Sequence, residues 1–282
     1  MAKAASLLLG IAVVSAALAG FGQSAPNANE RDLPKGWAEA PSSKANPGLW
    51  ECAGYGGSVI VSLEGGSVRI GKPPDEEPQQ VPLPEHLKLS KEMIGSRSLL
   101  RTADGWLVGF DAGEFGGGLW WFNNGGDENQ KLLSENVHAI YRSPDGVFVL
   151  VGLAHLSLNS GKIYQFTETD EEVKVKHVAD LGGSPEASTV DSEGRFVVAT
   201  PRSVLAVDYA GKVHELYKSG EDLTYPTSVV VDANGDIFVG MRFFALRLVP
   251  TNNGDYRPQW LMAKECQSFK IVKRICTCGN LR

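Results

Sequence analysis

The 282-residue chain has no surplus of positive charge: 27 Lys and Arg stand against 33 Asp and Glu, for a formal net charge of −6. Nucleic-acid binding draws on counterion release at a basic surface, so DNA and RNA are excluded as principal partners. Helical periodicity is lacking as well. Nowhere do apolar residues recur at i, i+3 and i+4 for three turns, which excludes bundles and helix-pair solenoids. Past the first 20 residues no apolar run nears the roughly 20 residues a membrane-spanning helix needs, so no membrane span is expected in the mature form. The common catalytic signatures are missing: there is no G-x-S-x-G elbow, no H-E-x-x-H pair and no Walker loop. The histidines His86, His138, His155, His177 and His214 are scattered and form no spaced ligand pair.

The N-terminus carries a basic Lys3, an apolar run from Ala4 to Val14, and Ala17-Leu18-Ala19. These are the three parts of a secretory signal peptide, residues 1–19, and the run is too short for a membrane anchor. No Cys stands near Gly20 to accept a lipid. Residues 20–47, rich in Ser, Asn, Pro and Ala, read as a flexible lead-in. The expected destination is the periplasm or the exterior. The four cysteines, Cys52, Cys266, Cys276 and Cys278, then read as disulfides. Cys276 and Cys278 lie two apart and lack bridging geometry in a strand, so each should pair with Cys52 or Cys266, in either order. Read as a copper or zinc half-site, the C-x-C pair has no nearby His.

The dominant feature is a repeat. Residues 98–109, 137–151, 188–199 and 226–240 each hold a β-rich run, a turn of Asp, Glu or Asn followed by Gly, and a second β-rich run. The turn residues Asp104, Asp145, Glu193 and Asn234 follow one another at intervals of 41, 48 and 41 residues, and residues 55–61 form a degenerate fifth copy. Two further strands follow in the later copies, and polarity rises outward. Periods of about 40 to 50 residues with four short strands predict β-propeller blades with the first strand lining the axis. The expected fold is all-β, a single propeller over residues 48–282, five-bladed, with six blades as the alternative. Phe269–Ile275, β-rich with no hairpin after it, is expected to close the ring beside the first repeat. The Trp120-Trp121-Phe122 run is expected to pack between blades rather than bind sugar.

Pro226–Val239, where a strand ends at Asp-x-x-Gly-x and Ile-Phe-Val-Gly follows, resembles the NHL-type and gluconolactonase-type propellers. The resemblance covers about residues 95 to 250 and concerns architecture more than chemistry. Enzymes of that type hold a divalent cation at the axis with Glu, Asn and Asp. The resemblance places one ligand at Glu186 and counterparts at Gly95 or Ser96, Glu135 or Asn136, and Tyr225 or Pro226, a poor set of hard oxygen donors. No cofactor is therefore expected; a cation such as calcium belongs to the alternative function, a metal-dependent lactonase-like hydrolase. Asp232, Asn234 and Asp236 imitate the start of a calcium loop, but no Glu follows at the twelfth position, and a hairpin turn is the expected reading.

What remains is the rim. The loops between second and third strands are long in two repeats, Asp111–Gly118 and Gly152–Gly161, and short and basic-aromatic in two others, Pro201–Ser203 and Met241–Phe244. Asp111, Glu114, Phe115, His155, Glu186, Arg202, Arg242 and Phe243 are the candidate binding residues. Such a mixture suits a protein partner, since Arg and aromatics carry most binding energy. The reading is a non-catalytic binding module, an inhibitor or immunity-type protein in its narrowest form. Mass spectrometry of the protein recovered from an exporting host should place its N-terminus at Gly20.

Overall fold

In the computed structural model, the residues described are 33–73, 80–220, 223 and 225–278. The signal-peptide reading and residues 20–32 of the lead-in lie outside them. The 137–151 copy turns through two residues, Pro144-Asp145, between the paired Ser143 and Gly146, and the two later copies share another kind of turn. Asp191 and Asp232 each end a strand and accept, through Oδ1, the amides of the residues two and four positions on, while Gly194 and Gly235 adopt φ of 80° and 78°. Positive φ is nearly free only for glycine. These are longer turns than two-residue hairpins, and Asp208 with Gly211 closes another in the same way.

Four meanders of antiparallel strands result: β4–β7 (Ser96–Arg101, Gly105–Asp111, Gly117–Asn123, Asn129–Leu133), β8–β11 (Val137–Ser143, Gly146–His155, Leu158–Glu168, Val173–Asp180), β12–β15 (Ala187–Val190, Phe196–Ala199, Ser203–Val207, Val213–Lys218) and β16–β19 (Ser228–Val231, Ile237–Gly240, Ala245–Pro250, Tyr256–Ala263). The hairpin β2–β3 (Ile60–Glu64, Ser67–Gly71) begins within the degenerate copy at residues 55–61 and packs through β2 on β16 and β17. The first strands neighbour one another inside, and Tyr141 on β8 reaches Ser188 on β12 at 2.9 Å. Middle strands such as β13, β14 and β17 are buried along their whole length, whereas the last strands β7 and β15 are mostly exposed, as the outward rise in polarity predicts; β19, which pairs with Trp37–Glu39, is not. The described residues thus form an all-β succession of four-stranded antiparallel sheets, the blade unit that the repeat predicts.

Between consecutive sheets lies a dry layer. Phe148, Leu150 and Ile163 meet Phe196, Val198 and Val207 in one, and Leu107 and Leu119 meet Val147, Val149 and Val151 in another. Each fully buried side chain of this size contributes about 1.5–3 kcal/mol. Trp121 donates to Glu168 at 2.8 Å, and Glu168 also takes Thr102 and the Ala103 amide, which pins sheet β8–β11 to the first hairpin turn. The outer flank of β4–β7 is covered by Leu83, Leu87 and Met93 of the preceding connection. Among the described residues, no buried cluster joins that sheet to β2–β3.

Three expectations need correction. Within the lead-in, Trp37–Glu39 forms β1 and pairs with β19 as a fifth strand, because Trp37 finds an apolar seat beside Val59 and Leu261. Residues Pro47–Tyr55 form α1, capped by Asn46 and started by Pro47. The C-terminal segment adds no strand to the first repeat: Phe269–Val272 (β20) and Ile275–Cys278 (β21) pair only with each other, through a turn in which Lys273 and Arg274 take φ of 49° and 64°. That turn has neither Gly nor Asn to mark it. Cys52 on α1 bonds Cys276 and Cys266 bonds Cys278, one of the two orders left open.

Asp236 is not a solvent-facing turn residue. Its carboxylate is fully buried and accepts from Arg247 Nε at 2.8 Å, and Arg247 is 3% exposed. Removing one member of a buried ion pair strands the other charge. Asp236→Asn should therefore cost about 3 kcal/mol or more in chemical denaturation, against the silence the turn reading implies. Ile237→Asp, with Ile237 1% exposed, should prevent folding. Non-reducing peptide mapping should return the Cys52–Cys276 and Cys266–Cys278 links; the first encloses 224 residues and contributes roughly 4 to 5 kcal/mol in chain-entropy terms.

Candidate functional site

Connections between second and third strands emerge on one end of the sheets, together with the entries to each first strand. Gly113–Phe115 make a short turn between β5 and β6, and Asn136 holds it by donating to the Gly113 carbonyl at 2.9 Å. The second connection is not a long loop. β9 and β10 continue past the sheet as a two-stranded arm and turn at Leu156-Ser157. Gly152 and Gly161 let residues 183–185 cross close beneath it: a Cβ at 161 would stand 2.2 Å from the Gly183 carbonyl oxygen.

Charged and polar side chains tie these loops together. Glu114 Oε2 lies 2.8 Å from His155 Nε2, joining the first turn to the arm. Asp111 Oδ2 is 3.5 Å from His138 Nδ1, and His138 Nε2 is 3.2 Å from both Ser184 Oγ and the Gly152 carbonyl. The order Asp111, His138, Ser184 mimics an acid-base-nucleophile relay. Ser184 is nevertheless fully buried, and a carbonyl already accepts at the nitrogen that would have to take the serine proton. The trio is better understood as a staple between sheets.

Glu135 is engaged by Lys162 Nζ at 2.8 Å and Tyr164 OH at 3.0 Å. Its hydrogen bond and charge raise the Lys162 pKa, while desolvation first, then Glu135, raises that of Tyr164. Asn136 is likewise engaged, donating to the Gly113 carbonyl. Among the described residues, no three His, Cys, Asp or Glu side chains converge as metal ligands.

A cleft of about 330 Å³ opens beside the arm, lined by His155, Leu156, Leu158, Glu186, Arg202 and Tyr225 among others. It collects three of the sequence candidates, His155, Glu186 and Arg202. Arg242 joins by stacking its guanidinium 4.0 Å from the centre of the Tyr225 ring. Phe115, 78% exposed, stands on the turn whose Glu114 grips His155. Asp111 faces inward to His138. Phe243 is a correction: expected on the rim, it is buried, edge-on to Phe244 at 4.9 Å, with its amide on the Gly57 carbonyl. It holds the segment after α1 against the last sheet.

Sequence reasoning missed Leu156, Leu158 and Tyr225. Leu156 is 93% exposed and Tyr225 61%, and both adopt positive φ, 53° and 51°. The alternation His155-Leu-Ser-Leu158 was the available signal, hidden because its turn has no glycine.

No family model matches the sequence, and no curated protein does. Among solved structures, the chain is similar to a catalytically inactive virginiamycin B lyase from Staphylococcus aureus, at 14% identity over 61% of this chain and 57% of that one, TM-score 0.40. It is similar to a gluconolactonase from Xanthomonas campestris at 14% identity, 62% and 59% coverage, TM-score 0.39. TolB from Acinetobacter baumannii gives 15% identity, 62% and 44% coverage, TM-score 0.38. The chain thus spans less than two thirds of each.

A left-handed leucine in full solvent exposure costs roughly 1 kcal/mol that glycine does not. Leu156→Gly should leave the melting temperature unchanged or raise it by a few degrees in a thermal scan.

Proposed function

We propose that the chain is an exported, non-catalytic binding module, a five-bladed propeller whose reduced blade is β2–β3, and that it recognises a protein through the loop face built by the β9–β10 arm and the cleft beside it. One observation carries the reading. Phe115, Leu156, Leu158 and Tyr225, each more than 60% exposed, stand on neighbouring connections of one face, and two of them hold strained backbone there. Exposed apolar groups ringed by Arg, His and Glu suit a hot-spot patch, and strain retained at an exposed position points to use. Four disulfide-bonded cysteines, and the lack among the described residues of a helix long and apolar enough to cross a membrane, are compatible with export.

The test is quantitative capture from an exporting host's envelope extract, with mass-spectrometric identification. A stoichiometric protein should be retained by the wild-type chain and by Lys174→Glu on the outer strand β11. Leu156→Gly with Arg242→Glu should weaken its binding by about 2 kcal/mol or more without lowering the melting temperature. Equal loss from Lys174→Glu would discard this face, and chelator-sensitive lactone hydrolysis would replace the binding reading altogether.

A further inference from the structure

A second exposed apolar feature lies on the hairpin β20–β21. One side of this hairpin is docked: Phe269, Ile271, Cys276 and Cys278 pack against the largest buried cluster, and both disulfides end on β21. The other side should be polar, since alternate residues of a half-covered hairpin face water. It is polar at Lys270 and Thr277, which pair across the strands, but not at the tip. There Val272 and Ile275 face each other at 56% and 59% exposure. The two turn residues between them are Lys273 and Arg274, both exposed and both at positive φ.

Two long cations therefore occupy positions that Asn-Gly would fill without strain. Phe269–Cys278 contains no acid, so Lys270, Lys273 and Arg274 make a local basic patch on a chain of net charge −6. Within a Debye length of about 8–10 Å, that patch rather than the distant net charge governs what the tip meets. Its shape decides the class of partner. A two-residue turn on a two-stranded stalk is convex and narrow, and offers far less than the roughly 800 Å² per side that a specific protein interface uses. A bilayer interface accepts a convex tip, with aliphatic groups at the acyl boundary and cations among anionic headgroups.

We propose that the tip Val272-Lys273-Arg274-Ile275 is a contact site for anionic membrane surfaces, held rigid by the two disulfides at its base. It touches the interface without crossing it. The mode is peripheral, reversible and sensitive to salt.

Co-sedimentation with unilamellar vesicles tests it, using the full chain purified in oxidised form. Binding is expected to equimolar phosphatidylglycerol and phosphatidylcholine at low ionic strength, with release by salt and none to phosphatidylcholine alone. Lys273→Glu with Arg274→Glu should weaken it by several hundredfold, since each unit of charge near such a surface counts for roughly fivefold and the two reversals change about four units. Val272→Ser with Ile275→Ser should weaken it by about tenfold while the charge is unchanged. In a Val272→Trp chain, tip fluorescence should shift to the blue with the anionic vesicles only. All four residues are exposed, so unchanged melting temperatures and intact disulfides certify the variants. Failure to bind phosphatidylglycerol vesicles, undiminished binding by the charge-reversed pair, or binding to polyglutamate in preference to vesicles would overturn the proposal.

Discussion

Strands buried on both faces cannot stand as a single sheet, and that constraint organises the whole molecule. β13, β14 and β17 present no polar side for solvent to wet, so every sheet must find a neighbour on each flank. Stacking the sheets about an axis answers most of this demand, with phenylalanine and branched aliphatic layers between them. The ends of the stack need other covers. Leu83, Leu87 and Met93 shield the flank of the first sheet, while α1 and the disulfide-tied hairpin help to close the cluster around the last. The cysteines fasten to that cluster the short elements α1 and β20–β21, which add no strand to any four-stranded sheet.

The same constraint separates structural from recognition residues. A side chain near the loop face that fits an apolar layer is drawn in, as Phe243 is, and serves the fold. Those that find no layer remain outside, as Leu156 and Phe115 do, and their exposure is otherwise unexplained. Ion pairs divide likewise. Asp236 with Arg247 is shut between strands and belongs to the core, while Glu114 with His155 joins the β5–β6 turn to the β9–β10 arm in partial solvent and fixes the outline of a surface. The Arg242–Tyr225 stack extends that outline across the entry to the last sheet.

Much of the fold was legible because turn chemistry and alternation are local. Asp191 and Asp232 signal their turns through their own side chains, and the runs Phe196–Ala199 and Ile237–Gly240 follow at once. The C-terminal hairpin was not legible, since Lys273-Arg274 turns the chain without Gly or Asn. Nor was β1: Trp37–Glu39 is a strand only because β19 offers a free edge and an apolar seat for the indole. Of the rim, the sequence indicated the loops that bear the cleft and the residues His155, Glu186, Arg202 and Arg242, but not Leu156 or Tyr225, whose exposure depends on what fails to pack above them.

By itself, then, the sequence determined the β character, the repeat period, the outward gradient of polarity and the choice of two disulfide orders, all of which rest on short-range rules of side-chain spacing and charge. Tertiary structure alone decided which order formed, which phenylalanine was buried, that Asp236 met Arg247, and which side chains from connections as far apart as His155 and Tyr225 share one cleft. Those outcomes depend on distances between segments remote in sequence, and such distances exist only once the sheets have stacked.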